Sequence, residues 1–209
     1  MLISHSHRFI FIHIYKTGGS SMTTALQPWC EPVEARQFHL TASYVQDEMG
    51  PLWLNYFSFA VVRNPWDWIV SLYHWLIANP DHDLAPFVRS MTFREFVAWL
   101  DDSEGPSRQP PAKHGSWSAY RQPQASWIVD RAGRQIVSHV ARFETLAEEW
   151  IRITERIGLP GLILPHTNTS KHPPYRECYD QSTREAVARL FAADHAIRIR
   201  ILAHPADAS

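Results

Sequence analysis

The residues best suited to chemistry follow an apolar run near the start of the chain. Residues 9–15 lead into Lys16, Thr17, Gly18, Gly19, Ser20 and Ser21. Glycines let the backbone turn sharply and approach a ligand, and a helix that begins at Ser20 or Ser21 adds the positive end of its dipole. Because Lys16 supplies a countercharge, this junction is predicted to hold an anion. The alternative is an ordinary strand-to-helix turn with a solvated lysine.

The order of these residues differs from that of the nucleoside-triphosphate loop. That loop reads G-x-x-x-x-G-K-[ST], with the lysine after the glycines. Here Lys16 comes before them. The sequence also shows no apolar strand that ends in an aspartate suited to holding magnesium, so metal-assisted phosphoryl transfer is poorly supported. A phosphate-like group handled without a metal fits the pattern better.

A second apolar segment, residues 57–63, ends in Arg63 and is followed by Pro65, which favours the first turn of a helix. Ser71 lies about two helical turns beyond Arg63. A guanidinium offers two aligned donors to a phosphate and a hydroxyl offers a third, provided that the helix runs beside the site. The alternative is that Arg63 pairs with Asp67 and only stabilises the surface.

Taken together, the two segments resemble the sulfotransferases that use 3′-phosphoadenosine 5′-phosphosulfate (PAPS). In that family the first motif binds the 5′-phosphosulfate and the second binds the 3′-phosphate. Three more segments are similar to the carbohydrate-type, family 2 branch: His39-Leu40-Thr41-Ala42, Arg142-Phe143-Glu144 and residues 164–172. The chain departs from the family at Tyr15, where a proline usually precedes the lysine.

The resemblance implies a role for each candidate residue. Lys16 would neutralise charge on the leaving phosphate, and the residues after it, Thr17, Gly18, Gly19, Ser20 and Ser21, would donate to the 5′-phosphate. Arg63 and Ser71 would bind the 3′-phosphate. Lys171 would also bind PAPS, because it lies in a loop that the family folds over the cofactor. The alternative is that this loop is only a polar segment of the surface.

A base must take the proton of the acceptor hydroxyl. His39 matches the position at which several carbohydrate sulfotransferases place a catalytic histidine. An imidazole suits this task because its ordinary pKa near neutrality leaves it able to accept a proton. The fallback candidates are Glu31, Glu34 and His13, of which His13 is expected to be a satisfied core histidine.

Length and composition limit the number of domains, the kinds of partner and the compartment that we expect. A chain of 209 residues with 45% hydrophobic content predicts a single domain over residues 1–209. A net charge of −1 argues against a broad nucleic-acid surface. Two cysteines indicate neither a disulfide framework nor a metal site.

The sequence shows neither a signal peptide nor an apolar run long enough to span a bilayer, so we expect a cytoplasmic protein that is similar to soluble bacterial versions of the family. The oligomeric state is left open.

Hydrophobic spacing predicts the fold class. Residues 9–15, 57–63 and 135–140 read as strands, the first two as buried parallel strands of βα units, and this indicates an α/β fold. The resemblance implies a three-layer arrangement around a central parallel sheet like that of P-loop NTPases. Helices are predicted after Pro65, over residues 92–101 with Thr92 as the N-cap, and over 146–157 and 180–202. Residues 102–124 and 159–179 read as long loops that could cover the acceptor or the cofactor.

These observations favour a PAPS-dependent O-sulfotransferase that acts on a carbohydrate hydroxyl, of a small molecule or an oligosaccharide, and needs no metal. One alternative keeps the chemistry but moves it to a lipid or secondary-metabolite hydroxyl. Two alternatives from other classes are a nucleotide-dependent kinase and a nucleotide-binding module without catalysis. Magnesium-dependent binding of a nucleoside triphosphate would distinguish the kinase.

Overall fold

The computed structural model describes residues 1–32, 39–101, 119–165 and 172–196. The chain divides into two compact units, each built from two separate chain segments. Unit 1 contains Met1–Arg63 and Gln124–Thr169, and unit 2 contains Asn64–Pro123 and Ser170–Ser209. A single domain over residues 1–209 stays a prediction.

Unit 1 contains a four-stranded sheet with the order β1-β2-β3-β4. Its strands are Leu2–Ser4, Phe9–Ile12, Phe57–Val62 and His139–Arg142. The edge strand β1 is antiparallel to β2, whereas β2, β3 and β4 are parallel, with Ile12 beside Ala60 and Val62 beside Arg142. The predicted α/β class is therefore confirmed, and the sheet is mostly parallel.

The central strands β2 and β3 are mostly apolar, as expected for strands that are covered on both faces. All four residues of β2 are fully buried. The prediction for β4 was wrong in its bounds: the strand starts at His139 instead of Gln135. Gln135 makes an isolated antiparallel bridge with Val129, because the side chain of Asp130 accepts from the backbone N–H of Arg134 at 2.9 Å and closes a turn between them.

The helices of unit 1 are α1 (Gly19–Leu26), α2 (Ala42–Met49) and α6 (Leu146–Arg156), numbered in chain order through both units. The helix predicted over residues 146–157 is thus confirmed. One core cluster joins α1 and α6 to the sheet, and its members include Phe9, Phe11, Met22, Leu26, Phe59, Val61, Trp150 and Ile153. Short 3-10 turns cover Gln27–Trp29, Gly50–Asn55, Gln124–Trp127 and Phe143–Thr145.

Unit 2 contains α3 (Pro65–Ala78), α4 (Ala85–Arg89), α5 (Phe93–Asp101) and α7 (Gln181–Leu190), with a 3-10 turn at Tyr175–Glu177. Pro65 begins α3 as predicted, and the side chain of Asn64 accepts from the Trp66 N–H at 3.0 Å. The predicted cap of α5 is also present, since the Thr92 N–H donates to Glu95 Oε2 at 2.7 Å.

The last predicted helix, residues 180–202, is interrupted once among the described residues. α7 ends at Leu190, where Phe191 leaves the helical conformation with φ −114° and ψ 33°, and residues 192–196 are helical again. The ring of Phe191 is fully buried and meets Trp68 edge to face, with centroids 5.3 Å apart. Across the described ranges, no helix is both long and apolar enough to cross a membrane.

The two predicted loops lie partly outside the described residues, at 102–118 and at 166–171. Within the described part of the first loop, Tyr120 and Gln124 are buried, so this end is not a surface loop. The ring of Tyr120 packs within unit 2, where its hydroxyl lies 3.1 Å from His82 Nε2.

Candidate anion-binding and catalytic site

The site begins where the three parallel strands end. The carboxyl ends of β2, β3 and β4 meet at one edge of the sheet, which is where ligands bind in open α/β sheets. Residues 13–18 follow β2, Arg63 follows β3, and Phe143 follows β4. The topology of unit 1 thus brings together segments that are far apart in the sequence.

The loop after β2 is held in an unusual backbone conformation. Lys16 has φ 62° and Gly18 has φ 84°, so two of three consecutive residues lie in the left-handed region. A side chain with a Cβ atom adopts that region rarely, and such strain persists where the surroundings over-determine it. Thr17 contributes to this restraint, because it is fully buried and its hydroxyl donates to the Ile14 carbonyl at 2.8 Å. The hydroxyl proton of Thr17 is therefore used inside the loop.

Neighbouring side chains leave little room for a Cβ atom at either glycine. A Cβ atom on Gly19 would lie 1.9 Å from Nε2 of His13, which excludes any side chain unless the ring moves. A Cβ atom on Gly18 would lie 3.0 Å from Leu146 Cδ2 and 3.2 Å from Phe143 Cε2. The loop therefore packs tightly on its inner side as it enters α1, whose first N–H groups have no acceptor within the helix.

Arg63 lies beside this loop. Its guanidinium donates to the Lys16 carbonyl at 3.2 Å, and its Cζ atom is 4.3 Å from the centroid of the Phe143 ring, within cation–π range. Phe143 therefore contacts Arg63 and also limits the space at Gly18. Phe143 lies in the segment Arg142-Phe143-Glu144, but nothing in the sequence indicates its contact with Arg63.

The electrostatics favour an anion. Burial, and second the charge of Arg63, lower the pKa of Lys16 from its ordinary 10.5 to about 8. Two cations placed this close repel each other until a negative group lies between them. A bound phosphate or sulfate would relieve this repulsion, so the loop is suited to an anionic ligand.

Gln124 holds the backbone of Arg63. The Arg63 N–H donates to Gln124 Oε1 at 2.8 Å, and Gln124 Nε2 donates to the Arg63 carbonyl at 2.9 Å. The side chain is 1% exposed. The sequence does not indicate this role, because Gln124 lies at the end of a proline-rich segment, residues 102–124, whose composition predicts a surface loop.

His39 is oriented by a main-chain contact. Its Nδ1 atom lies 3.0 Å from the carbonyl oxygen of His13, and since a carbonyl only accepts, Nδ1 carries the proton. Neutral His39 therefore has its lone pair on Nε2. Although the residue is exposed overall, partial burial of its ring lowers its pKa, and the hydrogen bond to His13 opposes this effect. His39 is neutral at pH 7 and able to accept a proton.

Three aromatic rings surround His39. The rings of His13, Tyr15 and Trp127 lie 4.6, 6.4 and 6.4 Å from it, centroid to centroid. Tyr15 is 7% exposed and meets Trp127 edge to face at 5.8 Å, so the residue that replaces the usual proline packs beside the predicted base.

His13 is buried as expected, but the prediction that its polar atoms are satisfied was wrong. Its Nδ1 has no hydrogen-bond partner among the described residues. Burial, followed by the neighbouring His39, holds the pKa of His13 well below its ordinary value. His13 therefore stays neutral, and its ring fills the space next to Gly19. Of the other fallback bases, Glu31 is exposed and Glu34 lies outside the described residues.

The remaining predicted residues do not all fall in unit 1. Ser20 is exposed and Ser21 is half-buried, both in the first turn of α1. Ser71 lies on α3 in unit 2 and is 1% exposed, so its convergence with Arg63 stays a prediction. Lys171 lies outside the described residues.

Each unit also contains a cavity. In unit 1, a cavity of about 480 Å³ is lined by Met1, Ile3, Leu40, Tyr44, Val45, Glu48 and Met49. In unit 2, one of about 410 Å³ is lined by Trp66, Tyr175, Arg176, Tyr179 and Arg184. The first cavity is mostly apolar, and the second combines aromatic rings with two guanidinium groups.

Comparison with known proteins identifies the family of this chain. The model of the sulfotransferase family matches residues 1–202, which is nearly the whole chain. No curated protein and no solved structure matches it. Within the described residues, no group of three or more His, Cys, Asp or Glu side chains is arranged to hold a metal ion, and independence from metals stays a prediction. The match over residues 1–202 shows that the chain is a transferase of the sulfotransferase family, consistent with its family 2 branch.

Proposed function

We propose that this chain is a PAPS-dependent O-sulfotransferase that transfers a sulfuryl group to a hydroxyl of a carbohydrate or glycoconjugate. One observation carries the proposal: Arg63 donates to the carbonyl of Lys16 beside a glycine loop that admits no side chain at Gly19. Membership of the family supports sulfuryl transfer in general.

The residues present fit PAPS. Lys16, the loop backbone and the start of α1 would hold the 5′-phosphosulfate, since they combine a cation with N–H donors that lack helical acceptors. Arg63, with Ser71, would hold the 3′-phosphate. When bound, PAPS supplies the sulfuryl group: a bond forms between the acceptor oxygen and sulfur while the bond from sulfur to the 5′-phosphate oxygen breaks.

Two side chains of this protein then assist the transfer. His39 takes the acceptor proton at Nε2, because Nδ1 already donates to the His13 carbonyl. Lys16 stabilises the negative charge that develops on the leaving phosphate. The loop and Arg63 keep these groups aligned, which is the main contribution that transfer of this kind needs.

The acceptor class rests on the resemblance to the carbohydrate-type branch. One observation favours a lipid or secondary-metabolite hydroxyl as the second candidate: the cavity of about 480 Å³ in unit 1 is lined mainly by apolar side chains, including Ile3, Val45 and Met49. Faster transfer to a long-chain alcohol than to any monosaccharide would select this second candidate.

Calorimetric titration with adenosine 3′,5′-bisphosphate tests the cofactor class. We expect binding without magnesium, and Arg63→Ala is expected to weaken it by roughly 10- to 100-fold, since a hydrogen bond between charged groups contributes about 1.5–3 kcal/mol. Arg156→Ala is the matched control, because Arg156 also lies over a phenyl ring of unit 1, that of Phe57 at 5.7 Å. Its affinity should equal that of the wild type.

The same titration separates the rival classes. Binding of ATP that requires magnesium, with no binding of the bisphosphate, would support the kinase and contradict our proposal. Tight binding of the bisphosphate without transfer to any acceptor would support a module that has lost catalysis.

The pKa shifts predict a bell-shaped pH dependence of kcat/KM, which reports groups of the free enzyme. On the acid side, kcat/KM should fall as His39 becomes protonated, at a pH below the ordinary histidine pKa of 6.5. On the alkaline side, kcat/KM should fall as Lys16 loses its charge near pH 8. Lys16→Arg should move the alkaline limb out of range, because a guanidinium stays charged. A wild-type profile that is flat between pH 7 and 10 would contradict the role of Lys16.

A further inference from the structure

Arg63 lies one residue beyond the sheet, where its backbone has lost its strand partners. The last register pair between β3 and β4 joins Val62 to Arg142. The N–H and C=O groups of Arg63 are satisfied by Gln124, whose side-chain amide presents one acceptor and one donor at 2.8 and 2.9 Å. The amide of Gln124 thus takes the place of a peptide group of a neighbouring strand.

This contact is costly to remove. Gln124 is 1% exposed, and a buried backbone group without a partner carries its full desolvation cost. Without Gln124, the backbone of Arg63 would rotate to find other partners. The guanidinium would then leave both the Lys16 carbonyl and the face of Phe143, which fix its direction in this structure.

We propose that Gln124 is a positioning residue that aims the guanidinium of Arg63 at the 3′-phosphate, and so sets the preference for a 3′-phosphorylated nucleotide. This inference rests on the proposed function. A neutral amide meets both needs. An ionised glutamate would accept from the Arg63 N–H but could not donate to its carbonyl, and its charge would draw the guanidinium away from the ligand.

The test compares two nucleotides that differ only in the 3′-phosphate, adenosine 3′,5′-bisphosphate and adenosine 5′-monophosphate. Wild-type protein should prefer the bisphosphate. Gln124→Met keeps the length of the side chain but removes both hydrogen bonds, and it should reduce this preference about tenfold while the affinity for the monophosphate changes less than about twofold. Gln135→Met is the matched control, because Gln135 is exposed and its amide donates to the Val137 carbonyl at 3.0 Å.

Each outcome decides a separate question. A wild-type protein that binds both nucleotides equally would refute the proposed function. A wild-type preference that Gln124→Met retains in full would refute the role of Gln124 alone. If Gln124→Met fails to fold, Gln124→Leu, which also removes both hydrogen bonds, replaces it and should show the same selective loss. Failure of both variants to fold would assign Gln124 to the fold and overturn the positioning role.

Discussion

Replacing Lys16 with methionine is expected to lower sulfuryl transfer by about 10²- to 10³-fold, the effect of removing one preorganised charge stabiliser from an active site. Methionine keeps the length and the apolar stem of lysine but cannot neutralise the leaving phosphate. Single-turnover measurement of sulfated product is the direct readout, because it reports the chemical step itself.

The same variant should not be less stable. The folded pKa of about 8 lies below the ordinary 10.5, so charged Lys16 opposes folding at pH 7 and below. Between pH 8 and pH 10.5, Lys16 is protonated in the unfolded chain but largely deprotonated in the folded protein. The free energy of unfolding of the wild type therefore rises with pH in this range. Lys16→Met should therefore raise the melting temperature at pH 7, and this advantage should shrink as the pH approaches 10.5.

Arg8→Met is the matched control for this prediction. Arg8 is another cation with a left-handed backbone, at φ 50°, but it is exposed and lies in the turn before β2. Its replacement should leave both transfer and the pH dependence of stability unchanged. Wild-type turnover in folded Lys16→Met would remove Lys16 from the mechanism.

Gly19→Ala is expected to have the largest effect on the fold of the site. Its Cβ atom would lie 1.9 Å from the His13 ring, which stacks on Phe11 and contacts His39 and so has little room to move. Overpacking of this kind costs about 1–3 kcal/mol and sometimes more, and we expect the upper end of this range for the free energy of unfolding. Chemical denaturation measures it. Nucleotide binding should fall together with stability, because the loop would be displaced.

A double variant makes this prediction specific. His13→Ala removes the ring that the new methyl group would strike, so Gly19→Ala should cost about 1.5 kcal/mol less in the His13→Ala background than in the wild type. Ser20→Ala is the control for stability, because Ser20 is the next residue of α1 and is exposed. It should leave the free energy of unfolding nearly unchanged. Strictly additive effects of Gly19→Ala and His13→Ala would mean that the ring does not set the requirement for glycine.

Local sequence chemistry was sufficient for much of the architecture. The apolar runs of β2 and β3, the N-cap pair of Thr92 and Glu95, and the start of α3 at Pro65 were predicted from residues that act within a few positions of each other. The same holds for the turn from β2 to α1, which the pair Gly18 and Gly19 after an apolar run predicts; that this loop binds an anion stays a prediction. These features depend on propensity and hydrogen bonding within one element, so a short segment contains all the information.

The contacts that complete the site depend on the tertiary structure. Gln124 meets Arg63 across 61 positions of sequence, and it lies where composition indicated only a loop. Phe143 reaches Gly18 and Arg63 only because β4 is parallel to β3 in this register. No periodicity predicts such partners, since burial of a glutamine or the stacking of a guanidinium depends on which strand ends meet at the edge of the sheet. The sequence by itself therefore determined the strand-to-helix loop and the charges of the site, and the packing of distant segments decided how these charges are aimed.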